Sequence, residues 1–354
     1  MMKQTAIVVD GCRITPATLR EHRGAGKISP ELADFLCEWW DDSPTMPLQT
    51  SGSTGVPKCL LATKAAMAAS AAATCSFFKL APGDSALLCL PLRYIAGKMM
   101  VVRALVGGLN LLTTEPSSTP LAGVAQTIDF APLVPMQVAS TLALPGGAAQ
   151  LSRVRTLLLG GGFIAPSLAE QLQALPTRVY ASYGMTETLS HVALRAVNGP
   201  QRSDWYTPLP GVELTLTPAG TLQISVPYLG ISSLTTHDLA EMAPDGRFRI
   251  LGRVDAVINS GSVKIQAEEI ERELHHLTGL AVLALPLPHP RLGQCVALLW
   301  EGPAEAESAL REACATLPRY HKPHFIHRAP LPRTESGKPA RAQALSLLTH
   351  AYEQ

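Results

Sequence analysis

The stretch Thr50–Lys58, TSGSTGVPK, sets Thr50, Ser51, Ser53 and Thr54 around Gly52 and follows them with Gly55, Pro57 and Lys58. Small side chains let backbone N–H groups close around a polyanion, and Lys58 adds a positive charge, so the segment suits phosphate groups. It is not the Walker pattern, which needs Gly-Lys followed by Ser or Thr. Lys58 follows Pro57 and precedes Cys59. That excludes a P-loop NTPase without excluding ATP as ligand; an ordinary Ser/Thr/Gly-rich surface loop is the alternative.

Four further segments carry candidate chemistry. Ser182, Tyr183 and Gly184 lead into Met185, Thr186, Glu187 and Thr188 directly after an apolar run. The carboxyl end of a strand is where open α/β sheets bind ligands. Glu187 there could hold magnesium against phosphates, or could sit at a helix N-terminus where the dipole favours it. Gly160, Gly161 and Gly162 leave room for a flat ligand, or make a tight turn. Asp238, in Thr236–Asp238, could accept hydrogen bonds from a diol, and Arg253, in the run GRVD, could reach a ribose or phosphate. Each alone is more often a solvated surface residue. Lys338, in PRTESGK, is flanked by Gly, Ser and Pro, so it is suited to enter a site from outside rather than to pack.

The elements that must carry these segments alternate. Helices are expected at 30–41, Lys64–Phe78 (Ala-rich), 97–107 and Ser167–Ala174. Strands are expected at 5–9, 86–91, 109–114, 154–159 and 177–184, the last two running into glycine turns. That alternation predicts a mostly parallel sheet covered by helices. From about Gly211 the pattern becomes period-two with turn residues between, which suits antiparallel strands. The last hundred residues read as a small α+β unit: a helix at Glu268–His276, a strand at Leu280–Leu285 and a helix at Glu305–Ala315. The fold class expected is α/β, with a large N-terminal domain (1–254) of mixed and parallel sheets with helices and a small, mobile C-terminal α+β domain (255–354).

With 47% apolar and 16% charged residues, the chain is globular rather than disordered. A net charge of +1 argues against nucleic acid as partner. No apolar run is long enough to span a bilayer, and the start shows no signal peptide. Seven cysteines without CxxC spacing read as reduced thiols in a cytoplasmic protein, with zinc not expected.

Taken together, TSGSTGVPK, YGMTE, THD, GRVD and PRTESGK resemble the acyl-adenylate-forming superfamily of acyl-CoA ligases, luciferases and peptide-synthetase adenylation domains. The resemblance runs from about Pro47 onward. Members usually have a much longer segment before the phosphate loop than the 49 residues here; either an N-terminal subdomain is trimmed, or a homo-oligomer does its work. The segment LPLRYIAGKMMVVRAL and the stretches MTETLSHVALR and WYTPLPG resemble the o-succinylbenzoate–CoA ligase family within it. There Tyr94 stands where a histidine is common, and Arg103 matches an arginine. An arginine on a helix otherwise lined by Met99, Met100, Val101, Val102 and Leu105 needs a partner, and a second substrate carboxylate would supply one. A protein acid is the alternative.

The resemblance implies a reaction in two halves that uses ATP, Mg²⁺ and coenzyme A on a carboxylic acid, o-succinylbenzoate, in menaquinone biosynthesis. Another acyl- or aryl-CoA ligase and a carrier-loading adenylation enzyme stay open. By resemblance Thr50–Lys58 clamps the β- and γ-phosphates, Thr186 and Glu187 hold the α-phosphate and Mg²⁺, and Lys338 bridges carboxylate and α-phosphate. Gly160–Gly162 with Ser182–Gly184 form the adenine slot, Asp238 and Arg253 hold the ribose, and Arg103, Tyr94 and His191 line the acid pocket. Asp255 is the hinge, with Gly252 and Gly261 flanking it. The hairpin Asn259–Ile265, carrying Lys264, enters for the second half.

Overall fold

The computed structural model describes residues 6–49, 59–261, 263–334 and 337–353. Thr50, Ser51, Gly52, Ser53, Thr54, Gly55 and Lys58 lie outside the described residues, so their phosphate-binding reading is not addressed. The strands on either side, Thr45–Gln49 and Cys59–Thr63, pair antiparallel with Gln49 opposite Cys59, which brings the two ends of that segment together.

The larger part is built on a nine-stranded sheet. From one edge its strands are Thr207–Pro208, His191–Ala196, Arg178–Gly184, Val154–Leu159, Ile128–Leu133, Ser85–Leu88, Asn110–Thr113, Ile7–Val9 and Cys12–Ile14. From Arg178–Gly184 to Ile7–Val9 all neighbours are parallel. Such strands are covered on both faces and read as near-continuous apolar runs, as Leu157, Leu158 and Leu159 do. The outer strands pair antiparallel.

Helix Lys64–Phe78 matches its expected limits. Thr63 caps it by accepting from the Ala66 N–H at 3.1 Å, and Lys79 ends it in the left-handed region at φ 53°. It packs against helix Ile95–Gly107. Gly97 is required at that helix's first turn, because a Cβ would stand 2.5 Å from the Pro91 carbonyl oxygen. Lys98 on the same helix donates to the Pro47 carbonyl at 3.2 Å and so ties down the Thr45–Gln49 hairpin.

A four-stranded antiparallel sheet follows: Glu213–Leu216, Thr221–Val226, Ile231–Met242 and Phe248–Arg253. Its Leu222, Ile224, Val226 and Phe248 share one apolar cluster with Val192 and Ala193 of the large sheet. After a 3-10 turn at Val254–Ala256 comes a five-stranded sheet, order Val263–Gln266, Val257–Ser260, Gly293–Glu301, Ala281–His289, with Phe325–Arg328 on Gly293–Glu301. Helices Ala267–Thr278, Glu307–Thr316 and Arg341–Glu353 cover it. The two apolar clusters here, one around Trp300 and one around Leu299, draw on residues from 256 onward alone.

The structure differs from the sequence expectation in four places. Antiparallel pairing is not confined to the region after Gly211: it occurs at Ile7–Val9 with Cys12–Ile14, at Thr45–Gln49 with Cys59–Thr63, and at His191–Ala196, a strand buried along most of its length that shows no period-two alternation. Strand Ala281–His289 runs past Leu285 through Pro286 and Pro288, which an edge strand tolerates by turning its missing N–H positions outward. Strand Ile128–Leu133 and helix Arg341–Glu353 carried no clear signal. Gly252 is not a loose hinge residue: it pairs with Leu239 inside a strand, and a Cβ there would lie 2.6 Å from Gln266 Oε1. Gly261, at φ 64°, belongs to the hairpin turn.

Candidate active site

Adjacent parallel strands Val154–Leu159 and Arg178–Gly184 deliver Gly160–Gly162 and Met185–Ser190 to the same end of the large sheet. Ser182 Oγ donates to the Leu159 carbonyl at 2.9 Å, and a Cβ on Gly160 would come within 2.9 Å of Ser182 Oγ, so the two segments are in close contact. Gly184 is required too: a Cβ would collide with the Ser190 carbonyl oxygen on the returning strand. No helix begins after Gly184. The chain makes a turn in which the Leu189 N–H donates to the Thr186 carbonyl at 3.0 Å and Leu189 takes φ 63°. The buried Thr188 hydroxyl fixes it, accepting from the Met185 N–H at 2.9 Å and lying 2.7 Å from the Ser190 carbonyl. Glu187 is thereby held exposed at the tip, beside Thr186.

Asp238 is buried in strand Ile231–Met242, against the solvated alternative. The Tyr183 hydroxyl donates to its Oδ2 at 2.6 Å and Arg253 Nη1 to its Oδ1 at 3.0 Å. Burial first, and the Asp238 carboxylate second, push the Tyr183 phenol well above its ordinary pKa, so it stays a donor. The Tyr183 ring meets Phe248 edge-on at 5.2 Å. Arg253 also grips Asp255 through Nε (2.8 Å) and Nη2 (2.7 Å), and His237 Nδ1 stands 3.5 Å from the same carboxylate. The Arg253 hydrogen bond, followed by its charge, holds the Asp255 carboxyl below its ordinary range against the opposing effect of burial.

Lys338 approaches from the C-terminal part. Its loop closes on itself through Thr334 N–H to the Lys338 carbonyl (2.7 Å) and Gly337 N–H to the Thr334 carbonyl (2.8 Å). Gly337, at φ 79°, would place a Cβ 3.5 Å from Met136 Cε of helix Pro135–Leu142, so the loop is seated against the larger part. Lys338 keeps exposed surface, yet the protein crowded around it and then Arg253 lower its pKa, while Asp238 and Glu187 pull it up. Three residues on, Arg341 Nη2 meets both Glu271 oxygens at 2.7 Å and anchors the loop's far end.

Arg103 is 3% exposed on helix Ile95–Gly107. Its Nη2 donates to Ser190 Oγ, and its buried Nε has no hydrogen-bond partner. Among the described residues no carboxylate lies within ion-pair distance of it, and burial pushes its pKa down to about 10. His191 is buried beside it, with Nδ1 3.2 Å from Ser190 Oγ and Nε2 3.3 Å from Thr74 Oγ1. Burial, then the Arg103 charge, hold His191 well below its ordinary pKa, so it is neutral. Tyr94 is the helix N-cap with the Arg93 guanidinium over its ring at 4.9 Å. Nine residues before Arg103, its backbone sits roughly 13 Å away along the helix, whereas His191 shares Ser190 with Arg103. Ser190 and Thr74 were not singled out in the sequence, and Thr188 was named only as the end of its segment; short hydroxyl residues give no local signal of the groups they bridge.

Among the described residues no group of three or more His, Cys, Asp or Glu could cage a metal. The exposed Glu187 carboxylate fits the other mode, in which magnesium takes one or two carboxylates and completes its shell with phosphate and water.

Residues 15–224 match the AMP-binding enzyme family. The 2-succinylbenzoate–CoA ligase of Salmonella typhimurium is 30% identical over 263 residues, covering 70% of this chain and 56% of that protein. The Escherichia coli 2-succinylbenzoate–CoA ligase is 29% identical over 305 residues, covering 82% and 64%. The chain thus spans less than two thirds of the length of these curated relatives. Among solved structures, an acyl-CoA synthetase (AMP-forming)/AMP-acid ligase II-like protein from Dyadobacter fermentans superposes with a TM-score of 0.61 at 39% identity, covering 89% of this chain and 93% of that one. An E. coli MenE variant with bound OSB-AMS superposes at 0.72 with 25% identity, covering 88% and 70%. With more than half its length matched by the family, and the turn, acid and lysine segments brought together at one end of its large sheet, this chain belongs to the AMP-binding enzymes.

Proposed function

We propose that this chain is an AMP-forming acid–CoA ligase that joins o-succinylbenzoate to coenzyme A through an acyl-adenylate, a step of menaquinone biosynthesis. The observation that carries the reading is Arg103: a buried guanidinium that, among the described residues, has no hydrogen-bond partner at Nε and no acid within ion-pair distance. A dicarboxylic acid supplies the missing charge, and the relatives named above are ligases of such an acid.

In this reading the reacting carboxylate attacks the α-phosphate of ATP and pyrophosphate leaves. Charge grows on phosphate oxygens, so the chain's task is positioning and positive charge. Lys338 bridges the carboxylate and the α-phosphate, and Thr186 faces that phosphate. A magnesium ion held by Glu187 and the phosphates would neutralise part of the developing charge. Gly160–Gly162 and Ser182–Gly184 take the adenine, and Asp238 takes the ribose hydroxyls. Arg253 serves by orienting Asp238, since the protein already uses three of its nitrogens. Arg103 takes the second carboxylate, with His191 behind it and Tyr94 toward the helix's outer end.

For the thioester half we propose two domains, 1–254 and 255–354, turning about Asp255 so that Lys338 leaves and the Val257–Gln266 hairpin with Lys264 enters. The segregation of apolar clusters at residue 256 supports that division. Seven free cysteines support a cytoplasmic setting, and no described helix is long and apolar enough to cross a membrane.

Pyrophosphate release and thioester formation, assayed over a panel of carboxylic acids with ATP, magnesium and coenzyme A, test the reading. o-Succinylbenzoate should be turned over with the highest kcat/KM. Preference for a monocarboxylic acid would remove Arg103 from substrate recognition.

A further inference from the structure

Beyond the carboxylate contact itself, the residues behind Arg103 form a chain of hydrogen-bonding groups that ends in the protein's own backbone. Arg103 can only donate, and it donates to Ser190 Oγ. Ser190 Oγ stands 3.2 Å from His191 Nδ1. His191 Nε2 stands 3.3 Å from Thr74 Oγ1. The Thr74 hydroxyl donates to the Ser70 carbonyl at 3.1 Å, one helical turn back. Thr74 and His191 are 1% and 6% exposed, one on a helix and one on a sheet strand, and they meet across 117 residues of sequence.

Counting hydrogens fixes the direction. Thr74 has one hydroxyl hydrogen and gives it to Ser70, so its oxygen must accept from His191 Nε2–H. Neutral imidazole then has Nδ1 as acceptor, and the Ser190 hydroxyl gives its hydrogen there. That leaves Ser190 Oγ free to accept from Arg103. The opposite tautomer would put two donors, Nδ1–H and Nη2–H, on Ser190 Oγ and leave the Ser190 hydrogen without a described acceptor. We propose that His191 is a positioning residue, fixed by Thr74 as the neutral Nε2–H tautomer, which through Ser190 holds one edge of Arg103 so that the rest of the guanidinium meets the second carboxylate of the acid. The proposal rests on the reading of Arg103 as a carboxylate contact, but the tautomer is a property of the chain without ligand.

Two measurements on the full chain decide it. The first is the ¹⁵N spectrum of histidine-labelled protein at neutral pH, with the His191 signals assigned by their loss in His191→Asn. Nδ1 should resonate as an unprotonated and Nε2 as a protonated nitrogen; the reverse pattern, or a charged ring, overturns the relay. The second is steady-state kinetics of His191→Leu and His191→Asn. Leucine removes the acceptor for Ser190, so the KM for the dicarboxylic acid should rise roughly two- to tenfold with the KM for ATP unchanged. Asparagine can return an oxygen acceptor near the Nδ1 position and should recover most of the loss. An unchanged acid KM in the leucine variant, or equal rises for acid and ATP, overturns the positioning role. Should the wild type turn over no dicarboxylic acid, the ligase reading fails while the spectrum still decides the tautomer.

Discussion

Replacing Arg103 by methionine should make the unliganded protein more stable while removing its acid specificity. Burial holds the Arg103 pKa at about 10 against an ordinary 12.5, and no described acid offsets the loss of hydration. At about 1.4 kcal/mol for each pKa unit, keeping the guanidinium charged in that position costs about 3 kcal/mol. Arg103→Met keeps the apolar stem between the two packed helices and discards the charge. It gives up the hydrogen bond to Ser190, worth about 1 kcal/mol. The net expectation is a gain of about 2 kcal/mol, opposite in sign to the usual effect of trimming a buried side chain. Thermal unfolding of the larger part should shift up by a few degrees. A dicarboxylic acid that raises the wild-type Tm by mass action should leave the variant's Tm unmoved, whereas ATP should raise both. A variant that melts below the parent would show that contacts within the protein, and not a ligand, offset the burial of Arg103.

Lys338→Ala should abolish adenylate formation while thioester formation from supplied adenylate survives; equal loss of both halves contradicts the role. Because burial and Arg253 lower the Lys338 pKa, and the charged form is the working one, adenylation should fall as pH rises through a midpoint below the ordinary lysine value. Lys338→Arg, if active, should lose that alkaline limb. Tyr183→Phe takes one of the two side-chain donors from Asp238, so the KM for ATP should rise about three- to tenfold with the acid KM unchanged; an equal change in both would place the hydroxyl in the fold rather than the nucleotide site. Gly184→Ala should lower stability by about 2 kcal/mol or more, read by denaturant unfolding, since the added methyl meets the Ser190 backbone and neither strand can move without breaking the sheet.

What the sequence made legible was local. Helix Lys64–Phe78 is written in its alanines and in Thr63 before them, and strands Val154–Leu159 and Arg178–Gly184 in apolar runs that stop at glycine. The candidate residues Glu187, Asp238, Arg253 and Lys338 were nameable because their segments are short and distinctive. Their environments were not. Asp238 reads as surface in a polar tripeptide, and only the antiparallel partner strand carrying Arg253 and the neighbouring sheet carrying Tyr183 enclose it. The lack of an acid near Arg103 among the described residues is a property of every element packed around the helix, so no window of sequence contains it. Strand His191–Ala196 escaped for a related reason. Both its faces are covered, by the large sheet's helices and by the four-stranded sheet, which erases the alternation that marks a one-sided strand.

Arg253 joins the two scales. One nitrogen holds Asp238 inside the four-stranded sheet, and two hold Asp255 in the turn that follows it. Asp255 is about half exposed, so the pair adds little to stability, but its two-point geometry fixes the turn's orientation. A rotation at Val254–Ala256 must break that grip and the contact of Arg272 Nη2 with the Leu251 carbonyl at 3.1 Å. The Arg341–Glu271 pair, by contrast, lies wholly beyond the turn and stays intact. In the proposed rotation, the loop carrying Lys338 would keep its Arg341–Glu271 anchor on the small sheet. The proposed rotation would then withdraw the lysine together with that sheet, while Glu187, Asp238 and Arg103 belong to the part before the turn.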